Sequence, residues 1–115
     1  MRALRGMSDH EAFADEIAGF HAQQAAEMLL KAWLAIDGQV FPLTHNLGTL
    51  LHVLRDHEPD ADRFRGLIAL NPFAVQFRYE AITGDAEPLD REGLARSIQR
   101  LLERVREALG EPAES

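Results

Sequence analysis

His21, Gln24 and Lys31 bring an imidazole, an amide and an ammonium to one face of a helical stretch, the face that Phe13, Ile17 and Phe20 define. Burying such groups costs roughly a few kcal/mol each unless they find partners. Their spacing therefore implies either edge groups that hydrogen-bond to neighbouring loops or a cleft that takes a ligand or partner. Glu27 and Lys31 lie one turn apart with the acid on the N-terminal side, the favoured order for a local ion pair worth roughly 0.3 kcal/mol, and they read as that rather than as a catalytic pair. His45, in Thr44-His45-Asn46-Leu47, sits at a helix start. There it either fixes the turn or contacts a ligand, since loops held by rigid elements often carry function. His45, His52 and His57 do not share one helical face, so no metal site is expected.

Arg78 has the chemistry to hold a phosphate through two hydrogen bonds, or to pair with a carboxylate such as Glu27. Arg96, Arg100 and Arg104 lie on consecutive turns of the last helix, with Glu92, Glu103 and Glu107 among them. A solvated, ion-paired face is the favoured reading and an RNA-facing strip the other. No glycine-rich phosphate loop occurs, and the three serines, Ser8, Ser97 and Ser115, fall in a cap, a surface helix and a tail. The chain has no cysteine, which excludes a thiol nucleophile, a disulfide scaffold and a zinc ribbon.

The elements that must position these groups are helical. The 115 residues, 46% apolar and 27% charged, fit one compact domain with one modest core. With 12 Lys and Arg against 19 Asp and Glu, a formal charge of −7, the chain is poorly suited to non-specific duplex binding. Arg2, Arg5, Asp9 and Glu11 interrupt the first apolar residues, so no leader is expected. The low-charge run from Met28 to Phe41 is too short to span a bilayer. A cytoplasmic location is the expectation.

Ser8-Asp9-His10-Glu11 has the form of a capping box, no proline follows before Gly38, and one long helix is predicted up to Asp37. Its apolar face is predicted to be Phe13, Ile17, Phe20, Met28 and Ala35. Beyond Gln24 it is apolar on nearly every side, as a central helix with a share in a dimer contact would be. After a loop carrying Pro42, Thr44 is placed to cap a helix reaching about Arg55, with Leu47, Leu50, Leu51 and Leu54 on one face. A short helix over 60–70 should break at Asn71-Pro72, because proline disfavours helical geometry in the preceding residue. Thr83 to Pro88 reads as a surface loop. The last helix begins near Asp90, buries Leu94, Ile98, Leu101, Val105 and Leu109, and stops at Gly110 before an acidic tail, 110–115. An all-α, antiparallel four- or five-helix bundle follows, a single domain over 1–115.

Three stretches together resemble one family. Phe20-His21-Ala22-Gln23-Gln24-Ala25-Ala26-Glu27, with Lys31-Ala32 after it, resembles the signature helix of small prokaryotic HEPN domains. Thr44-His45-Asn46-Leu47, behind Phe41-Pro42, resembles their Thr-His-Asp-Leu loop, and Phe77-Arg78-Tyr79 their Phe-Arg-Tyr-Pro element. The likeness runs from about Ala12 to Leu109; Met28 stands for a usual lysine, Asn46 for an aspartate and Glu80 for a proline. Such domains open with a full amphipathic helix, whereas only 19 residues precede Phe20 here. The resemblance thus implies a shortened first helix, with residues 1–8 its remnant and either the true start upstream or the helix absent.

The resemblance further implies a dimer, and a nucleotide- or partner-binding role beside a minimal nucleotidyltransferase in a toxin–antitoxin-like system. The cleft would be lined by His21, Gln24, Lys31, His45, Arg78 and Tyr79, with no cofactor or metal beyond a nucleotide ligand. Many HEPN domains cut RNA without metal through an arginine and a histidine four to six residues apart. Here no histidine follows His57, and only Arg5 and His10 have that spacing, outside the family's position for it. No catalytic residue is therefore assigned. A metal-independent ribonuclease toxin and a purely structural dimerisation helper remain the alternatives.

Overall fold

In the computed structural model of the chain, the described residues are 9–74 and 89–110. The remnant over 1–8, the Ser8 cap, Arg5, Arg78, Tyr79 and the loop from Thr83 to Pro88 lie outside them. All regular structure among the described residues is helical: α1 (Asp9–Ile36), α2 (Leu47–Arg55), a 3₁₀ helix (Pro59–Ala74) and α3 (Arg91–Leu109). No helix there is long and apolar enough to cross a membrane.

Helix α1 ends where its glycine dictates. Gly38 takes a left-handed φ of 76°, the Gln39 amide donates to the Leu34 carbonyl at 2.9 Å and the Gly38 amide to that of Ala35 at 3.0 Å. This pair of bonds closes the last turn of the helix. The face α1 turns inward is not the one its aromatic spacing suggests. Phe13, Ile17 and Met28 are 53%, 43% and 70% exposed, whereas Gln23, Ala26, Leu30, Trp33 and Leu34 are wholly buried. The core side is rotated by roughly a third of a turn from the predicted stripe. Steric fit sets that rotation, since Gly19 lies under the ring of Phe73 so closely that any Cβ would overlap it.

Helix α2 is capped by Asn46 rather than Thr44. The Asn46 Oδ1 accepts from the amides of Gly48 at 2.8 Å and Thr49 at 3.2 Å, while Thr44 Oγ1 accepts from the Asn46 amide at 3.0 Å. Two and three residues ahead of the amides it must serve, Asn46 has the reach and Thr44 does not. Asn71 completes the cap from afar, its Oδ1 accepting from the Leu47 amide at 2.8 Å and its Nδ2 donating to Asn46 Oδ1 at 3.1 Å.

The segment predicted as an α-helix over 60–70, broken at Asn71-Pro72, is instead a 3₁₀ helix that runs through Pro72 to Ala74. Three residues per turn place every third side chain in a straight row. Ala61, Phe64, Leu67, Leu70 and Phe73 form that row, and all are buried. Its long run, against the usual few residues, is explained by this register, because an α-helical twist would carry the row off the core. The core is one cluster joining the row to Leu30, Trp33 and Leu34 of α1, the four leucines of α2, and Leu101 and Val105 of α3.

Helix α3 starts at its Asp90 cap, which accepts from the Gly93 amide at 3.0 Å, and ends at Gly110 with φ 95°. Leu101 and Val105 are buried, whereas Leu109 is 59% exposed. Two polar ties dock it. Asp15 of α1 is buried, accepts from the Leu89 amide at 2.9 Å and meets Arg91 Nε at 2.8 Å. Arg104 reaches Asp60 at 2.7 Å and Glu58 at 3.0 Å while its guanidinium lies 4.6 Å from the Trp33 ring centroid. Hydrogen bonding from Arg104 holds the Asp60 carboxyl below its ordinary range. Burial, reinforced by Asp37, pushes that of Glu58 up against the pull of Trp33 and Arg104.

Gly19→Ala tests the steric account. Overpacking against Phe73 should destabilise the protein by about 1–3 kcal/mol in urea unfolding, overriding the gain of up to about 1 kcal/mol from helix propensity. In a Phe73→Leu background the same change should become neutral or favourable.

Candidate functional site

The polar groups of α1 converge on a carboxylate. Glu27 is 7% exposed, and its oxygens accept from Lys31 Nζ at 2.9 Å, from Gln23 Nε2 at 3.2 Å and from His45 Nδ1 at 2.9 and 3.1 Å. Helical geometry supplies the first two, since residues four apart stack on one face. The third crosses from α1 to the loop ahead of α2. Gln23, wholly buried, fastens that loop a second time by donating from Nε2 to the His45 carbonyl at 3.1 Å. Its own Oε1 accepts from Gln24 Nε2 at 3.0 Å. Lys31 also stands over the Phe41 ring, 5.6 Å from its centroid, an added cation–π attraction.

Burial alone would raise the Glu27 carboxyl. The bonds from Lys31, His45 and Gln23 outweigh it and hold the group below its ordinary value. An ionised carboxylate only accepts, so the proton of the His45–Glu27 bond resides on Nδ1. The His45 side chain is 76% exposed, and Nε2 is left as its free ring nitrogen, an acceptor in the neutral ring and a donor in the cation. Carboxylate-oriented imidazoles of this kind are suited to hydrogen-bond recognition and to proton transfer. Beside it, the ammonium of Lys31, with 23% of the side chain exposed, supplies a cation.

Of the six residues predicted to line a cleft, the structure brings Lys31 and His45 together on Glu27, with Gln24 linked to them only through Gln23. His21 stands apart: exposed and edge-on to Phe20 at 5.6 Å between ring centroids, it borders a separate groove of about 340 Å³ where α1 meets α3 near Ile98 and Gln99. Three positions before Gln24, it has turned toward α3 and leaves the His45 cluster. Arg78 and Tyr79 lie outside the described residues. Sequence reasoning missed Gln23 and gave Glu27 an ion pair with Lys31, or one with Arg78, but no bond to His45. The one available signal was that two polar residues four apart, Gln23 and Glu27, occupy the same helical face as Leu30 and Leu34. Arg104, read as part of an arginine strip on α3, is committed to Asp60, Glu58 and Trp33.

Because the folded Glu27 carboxyl sits below its unfolded value, its contribution to stability is complete above the ordinary carboxylate range. It is lost as pH falls through the lowered value. Glu27→Gln should therefore cost about 1–3 kcal/mol at pH 7, the range for a buried charged hydrogen-bond partner. The difference from the parent protein, followed by urea unfolding across pH, should shrink on acidification toward pH 3.

No curated protein and no solved structure matches the chain. The HEPN domain family model matches residues 8–113, nearly the whole sequence and all three stretches whose order and spacing resemble that family. With its helical bundle and this match over nearly its whole length, the chain belongs to the HEPN domain family.

Proposed function

We propose that this chain is a recognition module rather than a hydrolase, and that the Glu27-centred cluster is its contact point with a nucleotide or with the protein that handles it. The observation that carries this reading is the anchoring of two donors on one ionised carboxylate. Lys31 and the outward edge of His45 are both fixed by Glu27 and both reach solvent. Groups already held in place lose little freedom on binding, which favours affinity. An anionic ligand such as a phosphate suits a lysine ammonium beside a protonatable imidazole.

The surroundings favour a protein-borne ligand over an enclosed small-molecule pocket. Met28 on α1, and Val40 and Leu43 on the loop that carries His45, are 70%, 93% and 98% exposed. Polar anchors among exposed apolar side chains have the composition of an interaction surface. A dimer that acts beside a minimal nucleotidyltransferase, in a toxin–antitoxin-like pair, is the assembly we infer. The resemblance of the Phe20–Glu27 and Thr44–Leu47 stretches to small prokaryotic HEPN proteins supports it.

A second reading has one specific observation in its favour. A carboxylate on Nδ1 with Nε2 open is an arrangement able to move a proton to or from a ribose 2′-hydroxyl, as a metal-independent ribonuclease requires. His45 would be its acid–base group. Arg5, the arginine of the Arg5–His10 pair, lies outside the described residues.

Titration of a fluorescent ATP analogue, and capture of a purified minimal nucleotidyltransferase, test the leading reading. The Gln24→Ala, Lys31→Ala, His45→Ala triple variant should bind one or both at least about tenfold more weakly, the loss of one charge-assisted hydrogen bond or more. Unchanged binding of both refutes it. RNA cleavage in the presence of a chelator, abolished by His45→Ala, would select the ribonuclease instead.

A further inference from the structure

Beside the buried row of the 3₁₀ helix, the register of α3 creates a second feature. Arg104 meets Asp60, so the two elements run past one another with that ion pair as a fixed point. One turn back along α3 and one turn on along the 3₁₀ helix, Arg100 comes opposite Arg63. Both border the same cavity of about 510 Å³, within the range of small-molecule sites.

Side-chain size explains the space. In the row beside the buried one, Arg63 is followed at three-residue steps by Gly66 and Ala69, and across from them α3 presents Gly93 and Ser97. A Cβ at Gly66 would touch nothing within 4 Å, so the walls stand apart there. Phe64, Leu67, Leu70 and Leu94 supply an apolar lining.

The charge is unbalanced at one end. Arg55, Arg65, Arg91 and Arg104 each form an ion pair with a carboxylate. Among the described residues neither Arg63 nor Arg100 does, although the chain carries 19 acids against 12 bases. The field of Arg63 is felt at Asp60, but that carboxylate is already bonded to Arg104. Arg63 instead lies 5.0 Å from the centroid of Phe64, at the mouth of the cavity. Among the described residues that line the cavity the carboxylate is Asp90, which caps α3 at the far end. Two guanidiniums on the walls of one cavity repel, and an anion between them would remove that repulsion.

We propose that this groove binds a small amphipathic anion, an aromatic or alkyl body with a phosphate or carboxylate head. The head lies between Arg63 and Arg100 and the body along Leu67 and Leu94. The site is separate from the Glu27 cluster, and its occupancy does not depend on the role given to His45.

Phenyl phosphate is the probe, followed by amide chemical shifts in ¹H–¹⁵N spectra, with benzoate, phenol and inorganic phosphate as comparisons. Saturable shifts at Gly66, Gly93 and Ser97 are expected with phenyl phosphate. Benzoate should reproduce them if the carboxylate head is accepted as readily, and its failure to do so would restrict the head to phosphate. Phenol and inorganic phosphate should each bind at least about tenfold more weakly, since each lacks one half of the recognition. Arg63→Gln with Arg100→Gln should weaken phenyl phosphate by at least about tenfold, and Gly66→Leu, which fills the groove and leaves both arginines, should do the same. Absence of saturable shifts at these amides, equal binding of inorganic phosphate, or affinity unchanged in both variants overturns the proposal.

Discussion

A carboxylate withdrawn from water at the face of a central helix must be surrounded by donors, and the arrangement around Glu27 follows from that demand. Lys31 and Gln23 are available from the same helix, but two intrahelical bonds leave oxygen lone pairs unfilled. The imidazole of His45 fills them only if the loop between α1 and α2 folds back onto α1, and Gln23 holds it there through the His45 carbonyl. Once the loop is so placed, Asn46 stands at the start of α2 and can cap it, and Asn71 closes over both. The placement of the loop, the start of α2 and the exposure of one imidazole edge thus descend from one buried charge. Loss of a single partner leaves an under-satisfied carboxylate, which is why such clusters behave as units rather than as sums of pairs.

What could be read from the sequence was governed by how local its cause was. The stop of α1 at Gly38, the Asp90 cap and Gly110 terminus of α3, and the leucine face of α2 depend on neighbours within a turn or two, and each lies where the residues placed it. The orientation of α1 depends on Gly19 meeting Phe73, from a distant part of the chain, and on a helix so evenly apolar beyond Gln24 that no side declares itself. Phe13, Ile17 and Phe20 therefore drew attention to the wrong face. The three-residue period of Ala61, Phe64, Leu67, Leu70 and Phe73 lies between the periods of strand and α-helix, and so was read as a short, broken α-helix. At the site, His45, Lys31 and Gln24 were legible as residue types. Glu27 was not legible as the hub of Lys31 and His45, because its bond to His45 spans 18 positions and leaves no periodic trace.

Helix α1 accordingly serves two surfaces. One side carries Ala26, Leu30, Trp33 and Leu34 into the core; another offers Ile17 and Met28 to solvent. The polar cluster around Glu27 lies between the two sides and so ties the loop ahead of α2 to the packing of the bundle. The groove between the 3₁₀ helix and α3 belongs to the other half of the molecule, where Arg104 rather than Glu27 sets the geometry.

The straight row along the 3₁₀ helix restricts how this segment can change length. Each added or removed residue turns everything beyond it by about 120°. One deletion between Ala61 and Phe73 would rotate Phe73 away from Gly19 and withdraw Asn71 from the start of α2, undoing two long-range docking contacts together. Substitutions that keep size and polarity disturb one neighbour at a time. Divergence in this stretch should therefore proceed by exchange of side chains, with gaps in related sequences confined to its flanks or arriving in multiples of three.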